Sequence, residues 1–297
     1  PKRDGKAQKI VRKALYPRKG CQLLEVDYSG IEVRVSTCYH EDETMISYIE
    51  DPDSDMHGDM AAQIFQVDDF DRSRKGHNML RSAAKNGFVF PQFYGDYYGN
   101  NAVALACEWG GMPENKRWKK GQGAEITDGY TVGDHLVKRG FYSLQQFTDH
   151  IEEIERDFWE RRFRGYNQWK KDWWAKYQER GYIEMLTGFR CHGPMQQNDA
   201  CNYPIQGTAF HCLLWAFIHT DNILRKRGYK TRLIGQVHDS MVLDVHPDEL
   251  DDVIQLLDKS MTTDLKNHWD WINVPIDIDI DLGGVDQSWH SLDEIEF

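Results

Sequence analysis

Strand-like apolar segments stand at both ends of this sequence, and a long helical stretch separates them. The first is CQLLEVDYSGIEVRV, residues 21–35, where LLEV and VRV suit an extended chain and Gly20 in front marks a turn. Toward the C-terminus RLIGQVHDSMVLDV reads as two short strands broken at HDS. VPIDIDIDLG then alternates strictly, as a half-exposed strand does. Strands at both ends can bury their apolar side chains in one sheet only if the middle loops out as an insertion. The expected fold class is therefore α+β, divided at 1–50, 51–182 and 183–297. No repeat of fixed period interrupts this plan.

Within the middle segment, DPDSDM offers helix caps before HGDMAAQIF, and a second helix is expected through GHNMLRSAAKNGFVF. Residues 99–133 look like a long excursion with little regular pattern, and residues 142–180 like a long helical pair rich in Trp, Phe and Arg. Further on, IEMLTGFRCHG suggests a hairpin-like turn, and helices are expected over roughly 205–227 and 247–267.

Composition excludes several classes. With 297 residues, 40% hydrophobic and 12% aromatic, the chain can build a core and is not of disordered type. No apolar run approaches the length of a transmembrane helix, and the basic N-terminus lacks the apolar stretch of a secretory signal. An intracellular setting without a membrane partner is expected. Six scattered cysteines, with no CxxC pair, read as reduced, buried thiols. The net charge of −12 argues at first against a nucleic-acid partner. Its distribution removes the objection. Residues 239–297 hold 16 acidic and 2 basic residues, whereas the first 20 hold 8 basic and 1 acidic. Most of the C-terminal acidity is expected to face solvent.

Two aspartates stand where strands end: Asp27 in VDYSG and Asp239 in VHDSM. Alone, each would be a turn or cap residue. Facing one another they would repel, and a pair of Mg²⁺ ions would relieve the repulsion and create a centre for phosphoryl displacement. Between them RSAAKNGFVFPQFYG places Arg81 and Lys85 four apart, on one helix face. That pair is either a solvated basic face or a grip for a triphosphate backed by base-stacking aromatics.

With these segments in view, the sequence resembles the A-family (polymerase I-like) DNA polymerases, in a phage- or plasmid-like form. DYSGIEVRV is similar to motif A, RSAAKNGFVFPQFYG to motif B and QVHDSMVLDV to motif C; DMHGDMA, GYIEMLTGFR and NYPIQGTA also match, all in the family's order. The resemblance implies an antiparallel palm sheet carrying a large helical fingers insertion, with 1–50 and 183–297 as palm and 51–182 as fingers. It implies template-directed DNA synthesis from dNTPs on a primer–template, with two Mg²⁺ ions, or Mn²⁺ as substitute. Asp27 and Asp239 would hold the metals with the Tyr28 carbonyl. Glu32 would exclude a ribose 2′-hydroxyl. His57, Arg81 and Lys85 would contact the triphosphate, with Lys85 also the general acid. Phe90 would stack at the nucleotide and Tyr94 would stand by the templating base. Asn202 and Gln206 would touch the primer–template minor groove and His238 the primer terminus, with Arg34 and Arg190 in support. A phage-encoded enzyme would act in the cytoplasm of a bacterial host.

The sequence departs from that pattern in places. Gly30 stands where Gln is usual, Ser240 where a second carboxylate often follows, and Asn198 where an arginine often reaches DNA. Motif B carries one extra residue between Lys85 and Tyr94. A regular helix would align Arg81, Lys85 and Val89, whereas counting back from Tyr94 selects Phe90. A bulge or kink between Gly87 and Pro91 is expected to absorb the difference. Trp118, Lys119 and Lys120 read as a solvated loop or, less readily, as a contact for single-stranded template. The sequence begins just before motif A, so a second chain or a preceding region is expected to supply the thumb and the rest of the palm. Two other classes compete: a weakly active or inactive DNA-binding subunit that scaffolds a partner, and a metal-dependent nuclease, which leaves Arg81, Lys85 and Tyr94 without a purpose.

Overall fold

A computed structural model describes residues 10–112, 117–127 and 129–297, so the first nine residues of the basic N-terminal segment lie outside the described residues. The strands are β1 (Gln22–Tyr28), β2 (Glu125–Thr127), β3 (Tyr130–Thr131), β4 (Tyr182–Glu184), β5 (Arg190–His192), β6 (Arg232–Val237), β7 (Ser240–Val245), β8 (Ile278–Leu282) and β9 (Asp293–Ile295). They are embedded in a mainly helical chain, an α+β fold. The chain divides into two compact units. The sheet unit comprises the described residues up to His40, Ala175–Pro194 and Ala200–Phe297; the helical unit comprises Glu41–Trp174 and Met195–Asp199.

The sheet unit is organised by a five-stranded antiparallel sheet in the order β6-β7-β1-β8-β9. β1, central in the sheet, is the first strand in sequence, and its neighbours come from the far end of the chain. Strand alternation gives the sheet two unlike faces. Leu24, Val26, Met241, Leu243 and Ile280 lie on one face and are fully buried. The other face carries Glu25 and Asp27 from β1, Ser240 and Asp244 from β7, and Asp279 and Asp281 from β8, as the register pairs show.

β1 ends at Tyr28, and the helix Ile31–His40 follows at once, so the VRV that looked extended is helical. Gly30, at φ +63°, makes the break. Any other residue there would be strained by about 1–2 kcal/mol, so glycine at this departure from the pattern serves the turn. Ile31, Val35 and Cys38 then recur with helical spacing and are buried, which decides helix over strand. The helix Gln197–Arg227 begins eight residues before the expected start and runs through Pro204. Ala200, Cys201, Pro204 and Ile205 are buried together, and that burial holds the helix across the missing N–H. The expected helix over 247–267 is broken at Thr262 into Leu250–Met261 and Thr263–His268.

The helical unit is built around aromatic side chains: Phe65, Phe88, Phe147, Phe158 and Phe163 are all fully buried. Its supposedly irregular excursion is structured. Helix Tyr98–Val103 passes into a wider π turn over Ala104–Trp109, and the β2–β3 hairpin leads into helix Val132–Lys138. The Gly- and Asn-rich composition hid these elements, because close packing rather than periodicity stabilises them. At Gly76, for instance, an added Cβ would stand 2.0 Å from the Ile126 carbonyl oxygen. Trp118 is buried, edge-on to Phe147 at 6.2 Å, and so is not available to stack on a nucleic-acid base. Among the described residues no helix is long and apolar enough to cross a membrane.

Candidate active site

In the sheet unit the β6–β7 hairpin turns through only two residues, His238 and Asp239, because Val237 pairs directly with Ser240. His238 adopts φ +54°, a left-handed conformation that a two-residue hairpin demands of at least one turn residue. Ser240 is in turn the register partner of Asp27 on β1. The turn thereby delivers Asp239 to the end of β1, where its carboxyl lies within hydrogen-bonding reach of that of Asp27. Burial, the Asp239 charge and the Glu25 charge together push the Asp27 carboxyl up to about 7. Asp27 Oδ1 is buried and has no hydrogen-bond partner among the described residues. The Tyr28 side chain turns into the apolar face and is buried, which leaves only its main chain beside the carboxylates.

The acidic face extends past this pair. Asp27 is opposite Asp279, and Glu25 is opposite Asp281, which is opposite Glu294. The IDIDID aspartates therefore share the face of Asp27, where Asp277 and Asp279 are exposed, and most of the C-terminal acidic residues are exposed, as expected. Like charges directly across a ladder destabilise it. Several are compensated. Ser29 Oγ donates to Asp279 at 2.6 Å, Arg34 bonds Asp277 at 2.6 Å and the carbonyls of Ser29 and Pro275, and Arg18 bonds Asp244 at 2.8 Å. Among the described residues Asp27 and Asp239 have no such cation.

In the helical unit, helix Lys75–Ala84 continues into a π turn over Lys85–Val89 and a last helical turn, Phe90–Phe93. The Phe90 N–H bonds to the Lys85 carbonyl, five residues back. One residue is thereby absorbed, as the extra residue in this segment requires, although the widening begins at Lys85, two residues before the expected place. Gly87 makes room for it: a Cβ there would meet Leu105 Cδ2 at 2.8 Å. The consequence is a single row at spacings of four, five and four: Arg81, Lys85, Phe90 and Tyr94. Lys85 Nζ sits 5.0 Å from the Phe90 ring centroid, and the His57 ring meets Phe90 edge-on at 5.6 Å. Val89 is buried and faces away from this row. Behind it Gln92 accepts from Trp159 Nε1 at 2.6 Å and donates to Asn101 at 2.6 Å, which pins the last turn from inside.

Electrostatics in this unit run opposite to those of the sheet. Burial, then Lys85 and Arg81, push His57 down to about 4, so it is a neutral imidazole at neutral pH. Burial and Arg81 push the Lys85 ammonium down. Arg81 Nε is held by Asp55 at 2.7 and 2.9 Å, and Asp55 reaches it by folding over the start of helix Met56–Phe65. Gly58 permits this, since a Cβ there would lie 2.6 Å from Asp55 Oδ2.

The remaining expected residues are more dispersed. Glu32 lies in the first turn of helix Ile31–His40 and Asn202 on helix Gln197–Arg227. Gln206 and His238 are exposed. Arg190 pairs with Glu184 across the β4–β5 hairpin and lies over the Tyr182 ring. Asn198 donates to the Gly95 carbonyl at 3.1 Å, closing the turn after the motif B helix. Two residues the sequence reading passed over take part: Asp55, which holds Arg81, and Glu25. The signal for Glu25 was its position two before Asp27, which strand alternation puts on the same face.

A cation suits the paired aspartates. An unpartnered buried carboxylate oxygen, a proton held to about 7 and a sheet face of like charge are what a divalent ion would relieve. Among the described residues no three His, Cys, Asp or Glu side chains are grouped to enclose an ion. Two carboxylates leave coordination positions open, as suits Mg²⁺, which keeps waters and binds substrate phosphates.

Comparison with known proteins gives this arrangement a family. The chain belongs to DNA polymerase family A, whose model matches residues 1–131 and 143–291. It is 24% identical over 273 residues to DNA polymerase I of Chloroflexus aurantiacus, covering 92% of this chain and 25% of that protein. It is 26% identical over 291 residues to DNA polymerase I of Lactococcus lactis, covering 94% and 27%. In fold it is similar to the POL domain of Pol1 from M. smegmatis, solved in complex with DNA primer-template and dNTP. That match has a TM-score of 0.66 at 22% identity, over 98% of this chain and 44% of that one. The chain thus spans about a quarter of the length of these two curated relatives.

Proposed function

We propose that this chain is the catalytic portion of a DNA-directed DNA polymerase, which transfers deoxynucleotides from dNTPs to a primer 3′ end. The observation that carries this reading is the Asp27–Asp239 pair, two carboxyls in contact with a buried oxygen unpartnered. In this reading Asp27, Asp239 and the Tyr28 carbonyl hold two divalent ions, Mg²⁺ or Mn²⁺. When bound, the ions supply activation of the primer 3′-oxygen and neutralise charge on the departing pyrophosphate.

The chain's own residues do the rest. Arg81, Lys85 and His57 grip the triphosphate, and Asp55 keeps the Arg81 guanidinium oriented. Lys85 passes a proton to the leaving pyrophosphate, a task favoured by its lowered pKa. Phe90 stacks at the incoming nucleotide and Tyr94 stands by the templating base. Glu32 occupies the space of a ribose 2′-hydroxyl. Asn202, Gln206 and Arg190 bear on the primer–template, with His238 near the primer terminus. Because the match covers part of each relative, the thumb and the rest of the palm come from further sequence, in the same chain or a second one.

Primer extension with Mg²⁺ and dNTPs tests this, with and without a chain supplying those regions. Incorporation that Asp27→Ala and Asp239→Ala both abolish is the expected result. No incorporation in any combination would favour the reading of the chain as a DNA-binding scaffold instead.

A further inference from the structure

Glu25 lies beneath the aspartate pair, held by contacts from three other parts of the sheet unit. It shares its sheet face with Asp27, two residues on, and with Ser240, which is Asp27's partner on β7. The Ser240 hydroxyl lies 2.9 Å from Glu25 Oε1, to which it donates, and 2.9 Å from the Val237 carbonyl. Glu25 Oε2 accepts from Trp289 Nε1 at 2.7 Å and from Arg12 at 3.3 Å. The Arg12 guanidinium in turn covers the Trp289 ring at 4.5 Å. Glu25 itself is buried, with Asp281 its partner on β8.

A carboxylate in this place is costly. It is removed from water and faces other acids, whereas its β7 register partner Val242 shows that an apolar residue fits the same row. Donors from residues 12, 240 and 289 are nevertheless directed at it. One of its links runs to the turn that carries Asp239: the Ser240 hydroxyl, which also lies beside the Val237 carbonyl across the turn.

We propose that Glu25 is a positioning residue of the metal centre. Through Ser240 it fixes the β6–β7 turn so that Asp239 meets Asp27, and its charge adds to the pair's attraction for a divalent cation. Both of its oxygens are occupied by donors, so it acts through Ser240 and does not ligate. This rests on the reading of Asp27 and Asp239 as metal-holding residues. It also implies that the charge can sit on either strand, since the Glu25 and Ser240 side chains touch.

The test is Mn²⁺ binding to the full chain, followed by the electron paramagnetic resonance of free Mn²⁺, alongside thermal melting. Glu25→Gln, which removes the charge and one of the two acceptor oxygens, is expected to weaken Mn²⁺ binding by about tenfold. Ser240→Ala, which removes the link with little change in volume, is expected to weaken it in the same direction. The exchange Glu25→Ser with Ser240→Glu is expected to restore binding to within about threefold of the parent. Asp27→Asn is the control. If Asp27→Asn weakens Mn²⁺ binding and folded Glu25→Gln and Ser240→Ala do not, this inference fails and the metal reading stands. If Asp27→Asn leaves binding unchanged, the metal reading itself fails. Should Glu25→Gln not fold, Ser240→Ala and the exchange decide: weakening by the first and recovery by the second support the proposal, and parent-like binding by the first overturns it.

Discussion

The two units hold opposite charges by opposite means. In the sheet unit, carboxylates from β1, β7, β8 and the β6–β7 turn converge because antiparallel pairing puts residues distant in sequence on one face. In the helical unit, the cations Arg81 and Lys85 come from one helix, spaced by its own turn. The sheet pays for its convergence in burial and repulsion, which together raise Asp27 to about 7; the helix is eased by Asp55, which takes up Arg81. The contrast teaches that tertiary pairing brings like charges together without a counter-ion, whereas beside a locally spaced row a neighbouring acid can take up one of the cations, as Asp55 does Arg81.

The sharpest way to break this comparison is to neutralise the strained side. Asp27→Asn or Asp239→Asn should lower nucleotide incorporation by about 10³-fold or more, since metal-held charge stabilisation amounts to several kcal/mol. Asp27→Asn should also stabilise the metal-free protein. With a folded pKa of about 7 against an ordinary 3.8, Asp27 takes up a proton on folding, so its contribution to stability is lost as pH rises from about 3.8 to 7. Discounted for its partial exposure, relief of that cost should raise the melting temperature at pH 8 by roughly 2–4 °C. An unchanged or lower melting temperature would mean the pair is not strained.

A second test asks whether the acidic side also selects the sugar. Glu32→Ala should narrow the preference for dNTPs over ribonucleotides by about 10–100-fold, measured as the ratio of kcat/KM values. A third addresses the helical row. Deleting Asn86, an exposed residue inside the π turn, should convert that turn to a regular one and keep Phe90 and Tyr94 in line with Lys85. Incorporation should stay within about threefold of the parent, whereas an alanine inserted after Asn86 should cost about 100-fold by misplacing them. The smallest effect is expected from Gly58→Ala, whose methyl group would push Asp55 off Arg81. KM for dNTP should rise by a few-fold, about 1 kcal/mol, with kcat little changed.

Legibility in the sequence followed the same division. The alternation of IDIDID and the two short strands on either side of HDS showed three strands of the sheet, β8, β6 and β7, and Arg81–Lys85 showed a helix face. The bulge in motif B could be inferred because two counts of one helix disagreed, although not that it starts at Lys85. The helix after Gly30 was read as strand because VRV is short and β-branched, and only burial of Ile31, Val35 and Cys38 reveals its period. The start of helix Gln197–Arg227 was obscured by Pro204. Glu25 and Asp55 were missed because their importance depends on Ser240, Trp289 and Arg81, partners that no local pattern announces.

In the proposed reading the sheet aspartates govern turnover while the helical cations govern nucleotide capture. Single-nucleotide incorporation, measured by rapid quench over a grid of Mg²⁺ and dNTP concentrations, separates these directly. Asp239→Asn is predicted to remain inactive at every dNTP concentration. Lys85→Ala is predicted to need about tenfold or more dNTP, because it loses a charge-assisted phosphate contact. Its residual rate is predicted to follow Mg²⁺ as the parent's does. Normal turnover by Asp239→Asn, or a Lys85→Ala variant with parental dNTP dependence, would contradict the account.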